Sequence, residues 1–288
     1  MVKNPLTLLK SALGTISLHP VVLFPFCLIG FVQLLMLEIL FFAPRYPLSE
    51  FFGPLIRRFA GEMYLHYPHN FVLLERWFSS AWLQIPVYVL INSFLIGAAI
   101  LIINAINEQQ KVRLSQIFRR ALGSYIHLVI AAVILVSVIY GLSQFYGLLF
   151  RRALQIRSTT GHFSLIKQIV VYGWPYAKLL ISCVGTTLLA FLFPLIVLEK
   201  KNVFLALVLN FRRFFKAMGT IFAVVFLSSL LYLPVILIKT YHQWFDKIMV
   251  PEFWALIPLA GTVIMLIIDA LQVTAITTFY LYERESSG

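Results

Sequence analysis

Six long apolar runs constrain the fold of this chain more than any other feature of its sequence. A helix needs about 20 apolar residues to cross a bilayer. The runs lie at about residues 20–42, 82–106, 125–150, 175–198, 217–238 and 254–282. We therefore predict an all-α fold, a polytopic integral membrane helical bundle in which residues 1–288 form a single transmembrane domain.

The composition excludes an ordinary water-soluble domain. Hydrophobic residues make up 61% of the 288 residues and charged residues only 12%, whereas soluble domains carry about 25% charge. The net charge is +12 and the basic residues flank the apolar runs, which indicates anionic lipid headgroups rather than nucleic acid as partners. Cys27 and Cys183 lie inside apolar runs without CxxC spacing, so we predict no metal site and no cofactor.

The distribution of Lys and Arg predicts the orientation in the membrane. With the N-terminus inside, twelve basic residues fall on the inner side and eleven on the outer side, so their number does not decide between the two orientations. The basic residues of 111–120 and 200–216 are concentrated in short segments, whereas those of 43–80 are spread along a long one. This difference in density favours both termini on the inner side.

A weak internal repeat relates two segments of the chain. Glu108 and residues 118–120 correspond to Glu199 and residues 211–213, and each triplet reads Phe-Arg-Arg. Each copy leads into an apolar run, and residues 10–14 resemble a fainter third copy. We predict that interfacial amphipathic helices lead into the first, third and fifth crossings, at about residues 4–18, 112–122 and 203–215. The basic residues predicted to bind headgroups are Arg119, Arg120, Arg212 and Arg213.

The segment from Phe193 to Glu199, with Val203 and the pair Arg212-Arg213, resembles a segment of poorly characterised bacterial inner-membrane proteins. These proteins are grouped with the membrane domain of glycerophosphoryl diester phosphodiesterases. In that family, a helix ending in a Pro and an acidic residue precedes an amphipathic helix and another crossing. The resemblance, mainly over residues 190–230, implies a bacterial inner (cytoplasmic) membrane protein, in which the inner side favoured by the basic residues, with both termini, is the cytoplasm. It implies no activity, because these residues include no counterpart of the phosphodiesterase catalytic domain.

Polar residues within the apolar runs form a predicted intramembrane cluster. Asp269 lies in the middle of the last run, where an acidic residue costs about 2.5–3.5 kcal/mol and must face protein or water. Gln272 follows it at i+3, and Gln84 and Asn92 on the second run and Lys178 on the fourth lie on narrow polar faces. Two roles stay open for Asp269: a relay or headgroup contact in a cavity, or a hydrogen-bonded tie between helices.

The usual enzyme motifs, such as GxSxG, HExxH and a Walker-type glycine loop, do not occur in the sequence. An enzyme acting inside the bilayer needs a paired acid and base, which we cannot assemble here. We therefore predict a non-enzymatic protein that handles lipid or a small solute, or that supports a transport system.

The connection 44–80 is too apolar for a solvated loop, and we predict an amphipathic or re-entrant segment on the outer face. It supports an alternative function, in which the chain is a structural or accessory subunit of a larger membrane complex with no ligand of its own. Other membrane-protein subunits are then its partners.

Overall fold

The computed structural model describes residues 4–155, 162–241, 250 and 252–287, and no β-strand occurs among them. Short 3₁₀ segments at Pro20–Leu23, Glu62–Leu65 and Leu230–Tyr232 and a π-helical segment at Tyr88–Asn92 join some of the α-helices. The α-helices of these residues are α1 Pro5–Leu18, α2 Phe24–Phe42, α3 Ser49–Phe59, α4 His69–Phe78, α5 Ala81–Val87, α6 Ser93–Asn107, α7 Leu114–Gly123, α8 Tyr125–Gln155, α9 His162–Tyr172, α10 Trp174–Leu188, α11 Leu192–Leu198, α12 Val203–Ser229, α13 Leu233–Thr240 and α14 Phe253–Ser287.

Six helical stretches are long and apolar enough to cross a bilayer, which confirms the predicted fold class and the predicted number of spans. We call them crossings 1 to 6, in chain order Pro20–Phe42, Ala81–Asn107, Tyr125–Gln155, Trp174–Leu198, Val203–Thr240 and Ala255–Glu285. Because successive crossings run in opposite directions, α1 and α7 lie on one side of the bundle, which we call the near side. Residues 43–80 lie on the other, the far side.

Two of the three predicted interfacial helices are separate elements. These are α1 and α7, which end at Leu18 and Gly123 before crossings 1 and 3. The third, at 203–215, is not a separate element, because α12 continues from Val203 to Ser229 without a break. The predicted fifth run, 217–238, lies within the helical stretch Val203–Thr240 that contains crossing 5.

Helix propensity accounts for this difference between the two copies of the repeat. Helix α7 ends at Gly123 and its C-cap is Ser124. In the second copy, Lys216 and Ala217 stand at the corresponding positions, and both are better helix formers than the residues they replace. The helix of the second copy therefore continues into crossing 5, whereas the helix of the first copy ends before crossing 3.

The two copies nevertheless share one backbone turn. Gln109 follows Glu108 with φ of 55°, and Lys200 follows Glu199 with φ of 51°. No other non-glycine residue of the described ranges has a positive φ, a conformation that L-residues rarely adopt. A residue in this conformation commonly ends a helix, and here it follows crossings 2 and 4. The sequence repeat thus marks a structural repeat at these two turns.

An apolar core closes the near side of the bundle. Helix α11 lies inside it, packed against α6, α8 and α12, and all its residues except the last are buried. Helix α1 packs on α12 and α14 through Leu8 and Ala12, while Leu6 and Leu13 stay exposed. The exposed surface of α1 thus carries apolar residues together with polar ones such as Lys10 and Ser11, as expected for a helix at a membrane interface.

The far side carries residues 43–80 as two amphipathic helices, one of the two alternatives predicted for this connection. Helix α4 packs against α2 and α14 and buries Phe71, Leu74 and Phe78. Helix α3 exposes Phe51 and Phe59, each more than 70% accessible.

A break in crossing 4 depends on Asn210 of α12. Pro194 has no N–H group, and its ring disfavours a regular turn before it, so α10 and α11 are separated by residues 189–191. Asn210 is fully buried and faces this break. Its Oδ1 accepts a hydrogen bond from the N–H of Phe191 at 3.0 Å, and its Nδ2 donates to the carbonyl of Leu188 at 2.8 Å. One side chain thus satisfies both backbone groups that the break exposes.

A second polar contact joins crossings 4, 5 and 6 on the near side. Arg213 donates to Glu199 at 3.0 Å, and the hydroxyl of Tyr280 donates to the same carboxylate oxygen. The Arg213 guanidinium also lies 5.0 Å from the centre of the Tyr280 ring. Burial by itself raises the pKa of Glu199, but the hydrogen bonds from Tyr280 and Arg213 outweigh it and hold that pKa below its ordinary value.

We expect Asn210→Leu to destabilise the protein strongly. The substitution leaves the Phe191 N–H and the Leu188 carbonyl unsatisfied in an apolar core, at about 1–3 kcal/mol each. The free energy of unfolding, measured by denaturant titration in detergent, should fall by about 2–6 kcal/mol. Asn107→Leu, at the exposed end of α6, is the control and should change it by less than about 1 kcal/mol. Equal losses in the two variants would contradict this role of Asn210.

The contribution of Glu199 should depend on pH. Its pKa in the folded protein lies below the ordinary 4.5, so its stabilisation is complete above that pH and is lost as the pH falls through the folded pKa. At pH 7 we expect Glu199→Gln to lower the free energy of unfolding by about 1.5–3 kcal/mol.

The difference between Glu199→Gln and the parent protein should then narrow below pH 4.5. Glu285→Gln, an exposed acid on α14, should match the parent throughout. A deficit that stays constant as the pH falls would show that the Glu199 charge does not act in this contact.

Candidate functional site

A cavity of about 1090 Å³ lies within the helix bundle, and all six crossings contribute to its wall. It reaches from the far-side ends of the helices, at Ser79, Trp174 and Lys239, to Ile276 and Thr277 of crossing 6. Ligand pockets in proteins commonly measure about 300–1,000 Å³. The space is therefore large enough for a substantial small molecule or for part of a lipid.

The cavity lies where regular helices are interrupted. Crossing 2 contains Pro86 and then the π-helical segment Tyr88–Asn92, whose residues Tyr88 and Asn92 line the cavity. Crossing 4 contributes Pro194 at its break, and crossing 6 contributes Pro258. Irregular backbone at membrane depth is tolerated only where it is buried in protein or lines a water-filled cavity. The prolines therefore indicate where the bundle departs from continuous helix packing.

The structure brings the five residues of the predicted polar cluster to this one cavity. They come from crossings 2, 4 and 6, and each of them belongs to its wall: Gln84, Asn92, Lys178, Asp269 and Gln272. Their environments within the cavity differ, and this difference separates structural residues from candidate binding residues.

Gln84 and Gln272 tie helices together. Gln84 and Gln33 of crossing 1 exchange two hydrogen bonds, at 3.0 and 3.2 Å, and Gln84 also donates to the Phe78 carbonyl at 2.7 Å. Gln272 donates to the hydroxyls of Ser228 and Ser229 on crossing 5, at 3.0 and 3.1 Å. Both side chains are therefore committed to contacts between helices.

Asp269 has no such tie. Although it is partly buried, it forms no ion pair and accepts no hydrogen bond from another residue in the described part of the chain. It lies one helical turn from Gln272 and lines the cavity. The carboxylate is therefore free to accept hydrogen bonds from a bound molecule or from water.

Asn92 and Lys178 also remain outside the polar contacts of the bundle. Asn92 is 7% exposed and its Oδ1 is buried without a hydrogen-bond partner, a state that buried polar atoms rarely show in proteins without water or a ligand. The ammonium of Lys178 lies 5.5 Å from the centre of the Trp174 ring and makes no ion pair with a described acid. The cavity thus presents a hydrogen-bond acceptor, the Asn92 oxygen, and a hydrogen-bond donor, the Lys178 ammonium, that no described residue pairs.

The far-side end of the cavity is fixed by an ion pair. Lys239 of α13 donates to Glu75 of α4 at 2.8 Å and to the Ser79 hydroxyl at 3.2 Å. Lys239 and Ser79 both line the cavity. The helical cap of residues 43–80 is therefore tied to crossing 5 at this end.

The four arginines predicted to bind headgroups are not brought together. Arg119 and Arg120 of α7 line a second, smaller pocket on the near side, of about 670 Å³. Arg213 is engaged by Glu199, and Arg212 is exposed on α12 and lines neither of these two spaces. In addition, no group of three or more His, Cys, Asp or Glu residues able to hold a metal occurs in the ranges that the structure describes.

Two polar residues that matter here were missed from the sequence. Gln33 is a lone amide in the first apolar run, and its only available signal was that such a residue needs a partner. Asn210 was hidden in the segment predicted to be interfacial, where an Asn is unremarkable. In both cases, only the packing of two helices shows the contact.

No protein family model, curated protein or solved structure matches this chain. The resemblance to the membrane domain of glycerophosphoryl diester phosphodiesterases therefore stays a prediction.

We expect the cavity to contain water, because charged residues such as Asp269 and Lys178 line it. Cysteine labelling reports this hydration, since the reactive thiolate forms only where water is present. In a background of Cys27→Ser and Cys183→Ser, Thr186→Cys on the cavity wall should react with a hydrophilic maleimide on the order of tenfold faster than Val184→Cys. Val184 lies on the same helix but on the exposed outer surface, which faces lipid. Equal labelling rates in reconstituted vesicles would contradict a hydrated cavity.

Proposed function

We propose that this chain is a non-enzymatic multi-pass membrane protein that handles an amphipathic lipid or a small solute in its central cavity. The observation that carries the proposal is Asp269, an acid at membrane depth that no described residue pairs and that lines a cavity of about 1090 Å³. Charged residues at that depth are costly, and they commonly mark substrate or ion pathways.

The lining of the cavity indicates the chemistry of the ligand. Most of its wall is apolar, from residues such as Ile96, Leu135 and Phe193, so the greater part of the bound molecule is apolar. The unpaired oxygens of Asp269 and Asn92 require hydrogen-bond donors. A molecule with an apolar body and a donor group, such as an amine or hydroxyl, meets both requirements.

The proposal assigns no catalysis to this cavity. Asp269 is the sole carboxylate among the residues that line it; Tyr88 and Lys178 line it too, but neither forms a hydrogen bond or an ion pair with Asp269. Paired acid–base catalysis needs such groups positioned together at the reacting atoms. The arrangement therefore favours binding over reaction.

We further propose that the protein resides in a bacterial inner membrane with its near side in the cytoplasm. Support comes from the concentration of Lys and Arg in 111–120 and 200–216, both of which lie on the near side.

The test is to identify what the full-length protein retains when purified in mild detergent, by mass spectrometry of the extracted molecules. We expect one class of molecule to be enriched over the bulk membrane lipids. Asp269→Leu should lower its occupancy about 10- to 100-fold, because a hydrogen bond to a charged group contributes about 1.5–3 kcal/mol. The control Glu285→Gln, on the same helix but exposed, should retain the parent occupancy.

The variants also separate the two roles of Asp269. If Asp269 contacts the ligand, Asp269→Asn should leave the unfolding temperature unchanged and lower the occupancy. For a cationic ligand the loss should equal that of Asp269→Leu. For a hydroxyl ligand it should be smaller, because the Asn side chain can still accept a hydrogen bond. Lost stability or assembly with unchanged occupancy would instead assign Asp269 to helix packing and overturn the proposal. A stoichiometric protein partner without an enriched small molecule would favour the alternative of an accessory subunit.

A further inference from the structure

We propose that the near-side pocket is a binding site for a phosphate group, supplied either by an anionic lipid headgroup or by a soluble phosphate. The pocket has a volume of about 670 Å³ and is separate from the central cavity, with which it shares no residue. Four cationic side chains line it, from two connections that are far apart in the sequence: Arg119, Arg120, Lys200 and Lys201.

The fold brings these four residues together through the repeated turn. Lys200 occupies the left-handed position after crossing 4, with φ of 51°, and this turn places Lys200 and Lys201 beside α7. Arg119 and Arg120 lie near the end of α7, just before the chain enters crossing 3. The wall between the two pairs consists of Leu101 and residues 196–198, at the near-side ends of crossings 2 and 4.

The protein compensates the positive charge of this pocket only in part, because Lys201 interacts with the charge of Glu199 and helps to lower the pKa of that carboxyl. None of the four cationic side chains forms an ion pair with an acid in the ranges that the structure describes. Glu199, which adjoins Lys200 in the chain, already accepts hydrogen bonds from Arg213 and Tyr280. Like charges gathered at one place repel each other, so an anion that binds among them stabilises the arrangement.

Uncharged groups in the pocket also suit a phosphate. Ser124 lines it at the beginning of the 31-residue helix α8, and the N-terminus of a helix attracts anions through its free N–H groups and its dipole. Asn104 lines it as well; its Nδ2 can donate to an anion, while its Oδ1 is buried without a partner among the described residues. Residues of α6, α7 and the start of α8 therefore offer donors to the same pocket.

The position of the pocket favours a lipid as the source of the phosphate. Basic pockets between transmembrane helices commonly bind anionic headgroups. The pocket lies at the near-side ends of crossings 2 and 4 and at the start of crossing 3, which is the depth at which lipid headgroups lie.

The experiment is a titration of the detergent-solubilised full-length protein with phosphatidylglycerol, followed by native mass spectrometry. We expect the double variants Arg119→Gln/Arg120→Gln and Lys200→Gln/Lys201→Gln each to weaken binding roughly 30-fold, at about 1 kcal/mol for each basic residue near an anionic lipid. The control Arg151→Gln/Arg152→Gln removes the same charge from the exposed far-side end of α8. It should change binding less than about twofold.

Inorganic phosphate is the second probe, added at millimolar concentration in competition with the lipid. If phosphate displaces phosphatidylglycerol, and this displacement depends on the four basic residues, the site is open to soluble phosphate. If the lipid is retained, its headgroup is the source of the bound phosphate group. Equal binding by both pocket variants and the parent would overturn the proposal. So would equal losses in the pocket variants and the Arg151/Arg152 control, because binding would then follow net charge alone. Unchanged unfolding temperatures of the four proteins exclude misfolding as the cause.

Discussion

Backbone hydrogen bonding inside an apolar solvent is the constraint on which the rest of this structure depends. A spanning segment must satisfy every N–H and carbonyl internally, yet crossings 2, 4 and 6 all contain prolines. At the break before Pro194, the side chain of Asn210 bonds both exposed backbone groups. This contact allows crossing 4 to deviate from a regular helix, and Pro194 beside the break lines the central cavity.

The polar residues of the bundle divide into two groups once their partners are known. Those that hold helices together, such as Gln84 and Gln272, use their hydrogen-bonding capacity within the protein. Asp269 and Asn92 face the same cavity without a described partner. A side chain that is already bonded must break a contact to meet a ligand, whereas an unpaired one gains a contact. This difference makes the second group the candidate binding residues.

Helix α11 separates two spaces of different character. Phe193 and Pro194, toward its beginning, line the central cavity, while Ile196 and Val197 line the basic pocket. The basic pocket lies at the near-side surface, and its charged side chains are all cationic. The central cavity is mostly apolar and lies at membrane depth beside Asp269. A bilayer offers anionic headgroups only at its surface, which is the depth of the basic pocket.

The sequence by itself determined the helical fold, the six crossings and the helices at 4–18 and 112–122. It also identified polar residues within the crossings, such as Asp269 and Gln84, that must meet protein or water. These follow from local composition and periodicity, because lipid penalises every unsatisfied backbone or charged group wherever it lies. The helix predicted at 203–215 is not a separate element, since an amphipathic stretch that continues into a spanning helix has the same pattern as a separate interfacial helix. Only the tertiary structure decided which polar residues have partners. Gln33 bonds Gln84, Asn210 is buried at the break of crossing 4, Arg213 pairs with Glu199, and Asp269 has no partner among the residues that the structure describes. Partner choice depends on contacts between segments distant in sequence, and helical periodicity describes only the face of a single helix.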